Sequence, residues 1–104
     1  MIGWSLYIIR CSDNSLYTGI AKDVAKRFDE HQGYGPKCSK YLRGRGPLSL
    51  VFQRYIGSKS EALKIESRVK HLPKAKKEQI LIDPVVIQNL LNRFKVEAQK
   101  TRRG

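Results

Sequence analysis

The sequence predicts a small α/β protein in the order β-β-α-β-α-α-α, with a three-stranded, mostly antiparallel sheet flanked by helices. Three observations carry that expectation. Two short apolar runs rich in β-branched and aromatic residues flank a polar tetrapeptide, which is the pattern of a β-hairpin. The apolar spacing then lengthens from a strand's period to a helix's, and does so again in the second half of the chain. With 104 residues there is room for one compact domain and a modest core.

The hairpin is assigned to residues 4–11 (WSLYIIRC) and 16–20 (LYTGI), turning at Ser12-Asp13-Asn14-Ser15. Over residues 22–32, Val24 and Phe28 lie four apart with Ala21 and Ala25 beside them, and Asp23 suits a helix start. Residues 33–47 contain four glycines and two prolines and read as a long loop; residues 48–55 form the third strand. Ser58-Lys59-Ser60-Glu61 has the spacing of a capping box and opens a helix that must stop at Pro73. A short helix follows around 74–82. Asp83-Pro84 caps and starts another, with Ile87, Leu90, Leu91 and Phe94 on one stripe. The basic end, Lys100 to Gly104, is expected to fray. No repeat or second domain is expected: residues 1–82 form the main body, and 83–104 pack on it or extend it.

Lys and Arg number 21 against nine Asp and Glu, a net charge of +12, which attracts polyanions and favours salt-sensitive association with nucleic acid. The apolar start, Met1 to Ile9, is interrupted by Gly3 and Ser5, too short to span a membrane and without the marks of a signal peptide. Cys11 and Cys38 lack metal-binding spacing and read as two reduced thiols rather than a disulfide. A soluble, cytoplasmic monomer without membrane contact or small-molecule cofactor is the expectation.

Certain residues are candidates for chemistry. Tyr7 and Tyr17 lie in facing strands of the hairpin, so their side chains can approach each other. Arg27 and His31 are one turn apart on the first helix, at the edge of its apolar stripe. Each also has an ordinary explanation: packing for the tyrosines, pairing with Asp23 for Arg27, a surface position for His31. Glu66 is stranger, because Ala62, Leu63, Ile65, Val69 and Leu72 define an apolar arc and Glu66 projects from within it. A carboxylate placed there needs a counter-charge or a metal ion, and both an ion pair with Lys70 and a metal satisfy the pattern. In the long loop, Lys37, Lys40, Arg43 and Arg45 are interleaved with Tyr34 and Tyr41 and no acid, a composition suited to phosphates and stacked bases.

Taken together, SLYIIRC followed by SLYTGIAKDVAKRFDEH resembles the opening of the GIY-YIG nuclease superfamily, in which two strands each carry a tyrosine and a helix supplies arginine and often histidine. The stretches SKYLRGRGPLSLVFQ and SEALKIESRVKHLPKAKKEQI are similar to its small stand-alone bacterial members, so the resemblance runs from residue 3 to about 82. The signature triplets here are Ser5-Leu6-Tyr7 and Tyr17-Thr18-Gly19, which keep the tyrosines and the second glycine; Tyr55-Ile56-Gly57 spells the second motif literally, but follows the third strand, out of hairpin spacing.

The resemblance implies an endonuclease hydrolysing phosphodiester bonds in DNA, with RNA also admissible, acting by structure or with weak sequence preference in repair or recombination. By the same resemblance Tyr7 and Tyr17 would help activate water, with Gly19 leaving room for close backbone approach. Arg27 would stabilise phosphate charge, and His31 would orient or deprotonate a tyrosine or water. Glu66 would hold one divalent ion, magnesium or in its place manganese. Lys37, Lys40, Tyr41, Arg43 and Arg45 would contact nucleic acid. Two rivals remain: a nucleic-acid-binding protein that keeps the fold without cutting, and an interaction module using its last helix.

Overall fold

Strand β1 (Trp4–Arg10) is the centre of the molecule's single sheet, with β2 (Leu16–Ala21) antiparallel on one side and β3 (Ser49–Gly57) antiparallel on the other. The computed structural model describes residues 3–33 and 35–103, with side chains to residue 93. Tyr34, the side chain of Phe94 and those of the basic end therefore lie outside the described residues. Two compact units divide after His71.

The first unit begins with the hairpin. Cys11 N–H donates to Ser15 O at 2.9 Å, Asn14 N–H to Cys11 O at 2.9 Å, and Ser15 N–H to Asp13 Oδ1 at 3.0 Å. Asn14 takes the left-handed conformation, φ 70°, which its short polar side chain tolerates. This turn sets the register, with Tyr7 opposite Gly19 and Ile9 opposite Tyr17. Strand alternation then puts Tyr7, Ile9, Tyr17 and Ala21 on one face. Helix α1 (Val24–Gln32) and the loop after it cover that face, burying Tyr7, Ile9, Cys11, Ala21, Val24, Cys38, Leu42 and Leu48 in one core, with Tyr17, Phe28 and Leu50 at its margin. Cys11 and Cys38 are buried free thiols.

Alternation places Leu6 and Ile8 on the opposite face. Helix α2 (Lys59–Lys70) contacts all three strands and buries Ala62, Ile65 and Val69. Its start is the expected capping box: Ser58 Oγ accepts from Glu61 N–H at 3.1 Å, and the Glu61 carboxylate accepts from Ser58 N–H at 3.2 Å. Leu63, expected in the apolar arc, is 47% exposed. Ala62, Ile65 and Val69 already fill a spacing of three and four residues, and Leu63 falls outside that narrower stripe.

The second unit is a helical hairpin of α3 (Lys74–Ile82) and α4 (Pro84–Arg103), with Ile80 and Ile87 buried. Asp83 caps α4, its Oδ1 accepting from Val85 N–H at 3.0 Å, and Pro84 occupies the first turn, where a missing N–H costs nothing. The basic end, expected to fray, continues α4 to Arg103: residues 95–103 hold no proline or glycine to stop a helix. Strand β3 likewise runs two residues past the expected end, so Tyr55-Ile56-Gly57 lies within the strand rather than after it. Tyr55 sits against Gly3, where any Cβ would collide with its ring.

The long loop is anchored rather than solvated, because Cys38, Leu42 and Leu48 enter the core. Leu42→Ala should therefore cost about 2–5 kcal/mol in urea unfolding, a core-cavity penalty, while Lys40→Ala on the exposed side of the same loop should cost less than about 0.5 kcal/mol. Equal effects at the two positions would show that the loop is not packed by Leu42.

Candidate active site

Because Tyr7 faces Gly19 across the hairpin, its ring can lie flat over the neighbouring strand. A Cβ on residue 19 would stand 2.5 Å from Tyr7 Oη and 2.6 Å from Cζ, so the glycine makes room for the phenol itself. Tyr17, diagonal to Tyr7 on the same face, brings its ring centroid to 6.3 Å.

Helix α1 delivers the next two groups. Asp23 Oδ1 accepts from Lys26 N–H at 3.1 Å and fixes the start of the helix, and Arg27 and His31 follow one turn apart. His31 is fully buried, and its Nε2 lies 2.9 Å from Tyr7 Oη. Its ring also meets Tyr17 edge-on, centroids 5.5 Å apart and planes at 73°. On its other side Nδ1 accepts the backbone N–H of Ser39 at 3.3 Å. A backbone amide can only donate, so Nδ1 is unprotonated and the ring proton of neutral His31 sits on Nε2. His31 therefore donates to Tyr7 Oη, and the phenol's own proton is free to point elsewhere.

Burial is the main influence on both partners. It pushes His31 down to about 4, with the Arg27 cation acting in the same direction and Glu30 against it. Burial, then the neighbouring Tyr17, holds the Tyr7 hydroxyl well above the usual phenol range; the Arg27 guanidinium opposes this through its charge and by hydrogen bonding. At neutral pH the site thus contains an uncharged imidazole, an un-ionised phenol and one fixed cation.

Arg27 is held by groups that sequence reasoning missed. Its Nη1 donates to Lys37 O at 2.7 Å and lies 3.3 Å from Glu30 Oε1, whose second oxygen meets Lys37 Nζ at 3.5 Å. Asp23, the partner anticipated for Arg27, is occupied as the helix cap. Glu30 is visible in the sequence as an i,i+3 acid on α1; Ser39 has no comparable signal, since its contribution is a main-chain amide.

Glu66 stands on α2, half-buried at 17% side-chain exposure, with Lys70 Nζ 3.5 Å from Oε2. The described contacts join Tyr7, Tyr17 and His31 into one cluster, on which the Arg27 charge acts, and tie Glu66 to Lys70. Among the described residues no three His, Cys, Asp or Glu side chains gather around a point. A divalent ion here would take a single carboxylate and complete its shell with water and phosphate oxygens, a donor set that magnesium accepts.

In the loop, Lys37 is committed to Glu30, Arg43 Nη2 donates to Gly35 O at 3.3 Å, and Arg45 pairs with Asp13. Lys40 is exposed, and Tyr41 stacks on Tyr17 with centroids 5.7 Å apart. Acids from neighbouring elements thus organise a segment that contains none.

The chain matches the GIY-YIG catalytic domain over residues 3–79, and it is a member of that nuclease superfamily. It is 47% identical over 92 residues to the UPF0213 protein YhbQ of Escherichia coli, covering 88% of this chain and 90% of that one. A UPF0213 protein of Cronobacter sakazakii is 56% identical over 78 residues, covering 75% and 80%. The solution NMR structure of the UPF0213 protein BH0048 from Bacillus halodurans shares 45% identity over 75% of this chain and 81% of that one, with a TM-score of 0.49. Among the described residues no helix is long and apolar enough to cross a membrane.

Two measurements check the geometry. Gly19→Ala must displace the Tyr7 ring and should destabilise the protein by about 1–3 kcal/mol in urea unfolding, whereas Gly35→Ala, which meets open space, should be near neutral. The second concerns pH. His31 binds its proton near 6.5 when unfolded and only near 4 when folded, so between those values the unfolded state holds more protons. Stability is then complete above about pH 6.5 and falls as the solution is acidified, by about 2 kcal/mol at pH 5. His31→Gln should remove most of that dependence; an unchanged slope would assign it to other groups.

Proposed function

We propose that this chain is a divalent-metal-dependent endonuclease that hydrolyses phosphodiester bonds in DNA, selecting by structure more than by sequence. The observation that carries the reading is the Tyr7 hydroxyl, buried and bonded to His31 Nε2 at 2.9 Å beside the Tyr17 ring, with the charge of Arg27 acting on it. A plain core tyrosine needs a hydrogen-bond partner, but has no use for a fixed cation beside it. A phenol that must pass through its ionised form does, because both groups stabilise the phenolate that burial opposes.

In this mechanism the Tyr7 phenol first gives its proton to solvent, an ionisation that burial opposes and the Arg27 charge favours, and the phenolate then accepts a proton from the attacking water. His31, held in one tautomer by Ser39, keeps the oxygen oriented and supplies a hydrogen bond that strengthens as charge develops. Tyr17 limits the approach to the same point. Arg27, fixed by Glu30 and the Lys37 carbonyl, meets the negative charge that develops on the phosphate oxygens without having to reorganise. Glu66 would hold the metal ion, whose charge would further stabilise the phosphate and lower the pKa of oxygen acids bound to it. The net charge of +12 supports sequence-independent attraction to the nucleic-acid backbone, and repair or recombination is the setting such an activity would serve.

The test is cleavage of labelled duplex, branched, flapped and single-stranded DNA, and matching RNA, with magnesium, manganese or EDTA. Arg27→Ala and Tyr7→Phe should each lower the single-turnover rate by about two orders of magnitude, with DNA affinity moving less than about tenfold. Loss of binding at an unaltered rate would reassign Arg27 to phosphate anchoring. Glu66→Gln should abolish cleavage while stability holds, and Lys70→Ala should leave both nearly intact. A Glu66→Gln protein that cuts normally would remove the metal assignment.

A further inference from the structure

The Tyr17 ring is enclosed by other rings. Tyr7 lies at 6.3 Å and His31 edge-on at 5.5 Å, while Tyr41 stacks at 5.7 Å with only 29° between planes. Tyr41 is covered in turn by the Arg45 guanidinium, 4.4 Å from its centroid. Arg45 is fastened at both ends: its guanidinium pairs with Asp13, and its carbonyl accepts the Ser12 N–H at 2.8 Å. Asp13 is held by the Ser15 hydroxyl at 2.6 Å and the Ser15 N–H at 3.0 Å; these bonds, more than Arg45, keep its carboxyl below the usual range. Two residues after Ser15 the chain reaches Tyr17. The contacts therefore close on themselves, running from the hairpin turn through Arg45 and Tyr41 to Tyr17 and back to the turn.

The geometry points to Tyr41 and Arg45 as positioning residues for Tyr17 rather than as contacts to nucleic acid. A phosphate reaching Arg45 would compete with Asp13 for its charge, and a base stacking where the guanidinium covers Tyr41 would have to displace it. Tyr41 is 42% exposed, yet its ring is engaged by both Tyr17 and Arg45. Tyr17 packs by its inner side at the margin of the core, and on its outer side the stack with Tyr41 limits rotation of its ring. A cation over the outer ring tightens such a stack, and its pairing with Asp13 ties the loop to the turn that carries Tyr17. The consequence for rate rests on the proposed phosphodiester cleavage; the stack itself does not.

Two readouts separate these dependencies. In protein labelled with ¹³C-tyrosine, Tyr41→Ala should shift and broaden the Tyr17 ring resonances, Arg45→Ala should move them the same way by less, and Tyr41→Phe should restore them. Tyr17 resonances unmoved by either alanine variant would overturn the proposal whether or not the protein cuts DNA. In single-turnover cleavage at saturating DNA, Tyr41→Ala should be about 10- to 100-fold slower with the dissociation constant changed less than about threefold, since small misplacements at a reacting centre cost rate. Tyr41→Phe should recover most of the loss, because the ring and not the hydroxyl stacks. The double variant Tyr41→Ala/Arg45→Ala should be no slower than Tyr41→Ala alone, as expected of residues acting through one chain of contacts. Weakened DNA binding with an unaltered saturated rate would instead make them substrate contacts and overturn the positioning role. If the wild-type protein cuts nothing while the resonances respond as expected, the stack stands and the nuclease reading falls.

Discussion

A phenol hydroxyl and an imidazole buried against each other impose more on this molecule than any other contact. Tyr7 and His31 are both buried, so each of their polar atoms that found no partner inside the protein would bear a desolvation penalty of about 1–3 kcal/mol. Meeting that requirement settles several features together. Residue 19 has no side chain because the Tyr7 ring crosses it. Helix α1 begins at an Asp23 cap, which places His31 two turns in, at the depth of the Tyr7 hydroxyl. The loop must return its Ser39 amide to Nδ1, and Cys38, one residue earlier, with Leu42, three later, provide the apolar anchors that bring it there.

Charge is organised by a few acids in a strongly basic chain. Glu30 restrains Arg27 and Lys37, and Asp13 restrains Arg45. On the surface such pairs add little stability, about 0–1 kcal/mol each, and their value lies in direction. An arginine whose orientation is already set loses less when negative charge develops in front of it, which is how a preorganised site differs from a mere basic patch. The acids nearest the cluster thus work with its cations rather than against the protein's attraction for polyanions.

Membership of the GIY-YIG superfamily covers residues 3–79, which takes in the whole first unit and most of α3. Within that span the departure of the first triplet, Ser5 in place of a glycine, leaves β1 paired on both sides, with irregularities confined to its partner β3. The close ring-to-backbone approach is made instead at Gly19, the position retained.

Local physics is what the sequence by itself determined. The hairpin, the Asp23 start of α1, the capping box at Ser58 and the Asp83-Pro84 start of α4 all rest on interactions spanning five residues or fewer, so alternation and turn chemistry suffice to read them. The same patterns brought Tyr7, Tyr17, Arg27 and His31 forward as a set, because strand and helix spacing determine which side chains share a face. Tertiary structure alone decided what stands opposite each face: that His31 is buried and donates rather than accepts, that Arg27 is held by Glu30 and Lys37, and that Tyr41 lies on Tyr17 rather than in solvent. It also turned Leu63 outward and drew Cys38, Leu42 and Leu48 of the long loop and its end into the core. Periodicity reports that one side of an element is apolar, and is silent on which distant segment, ring or main-chain amide comes to rest against it.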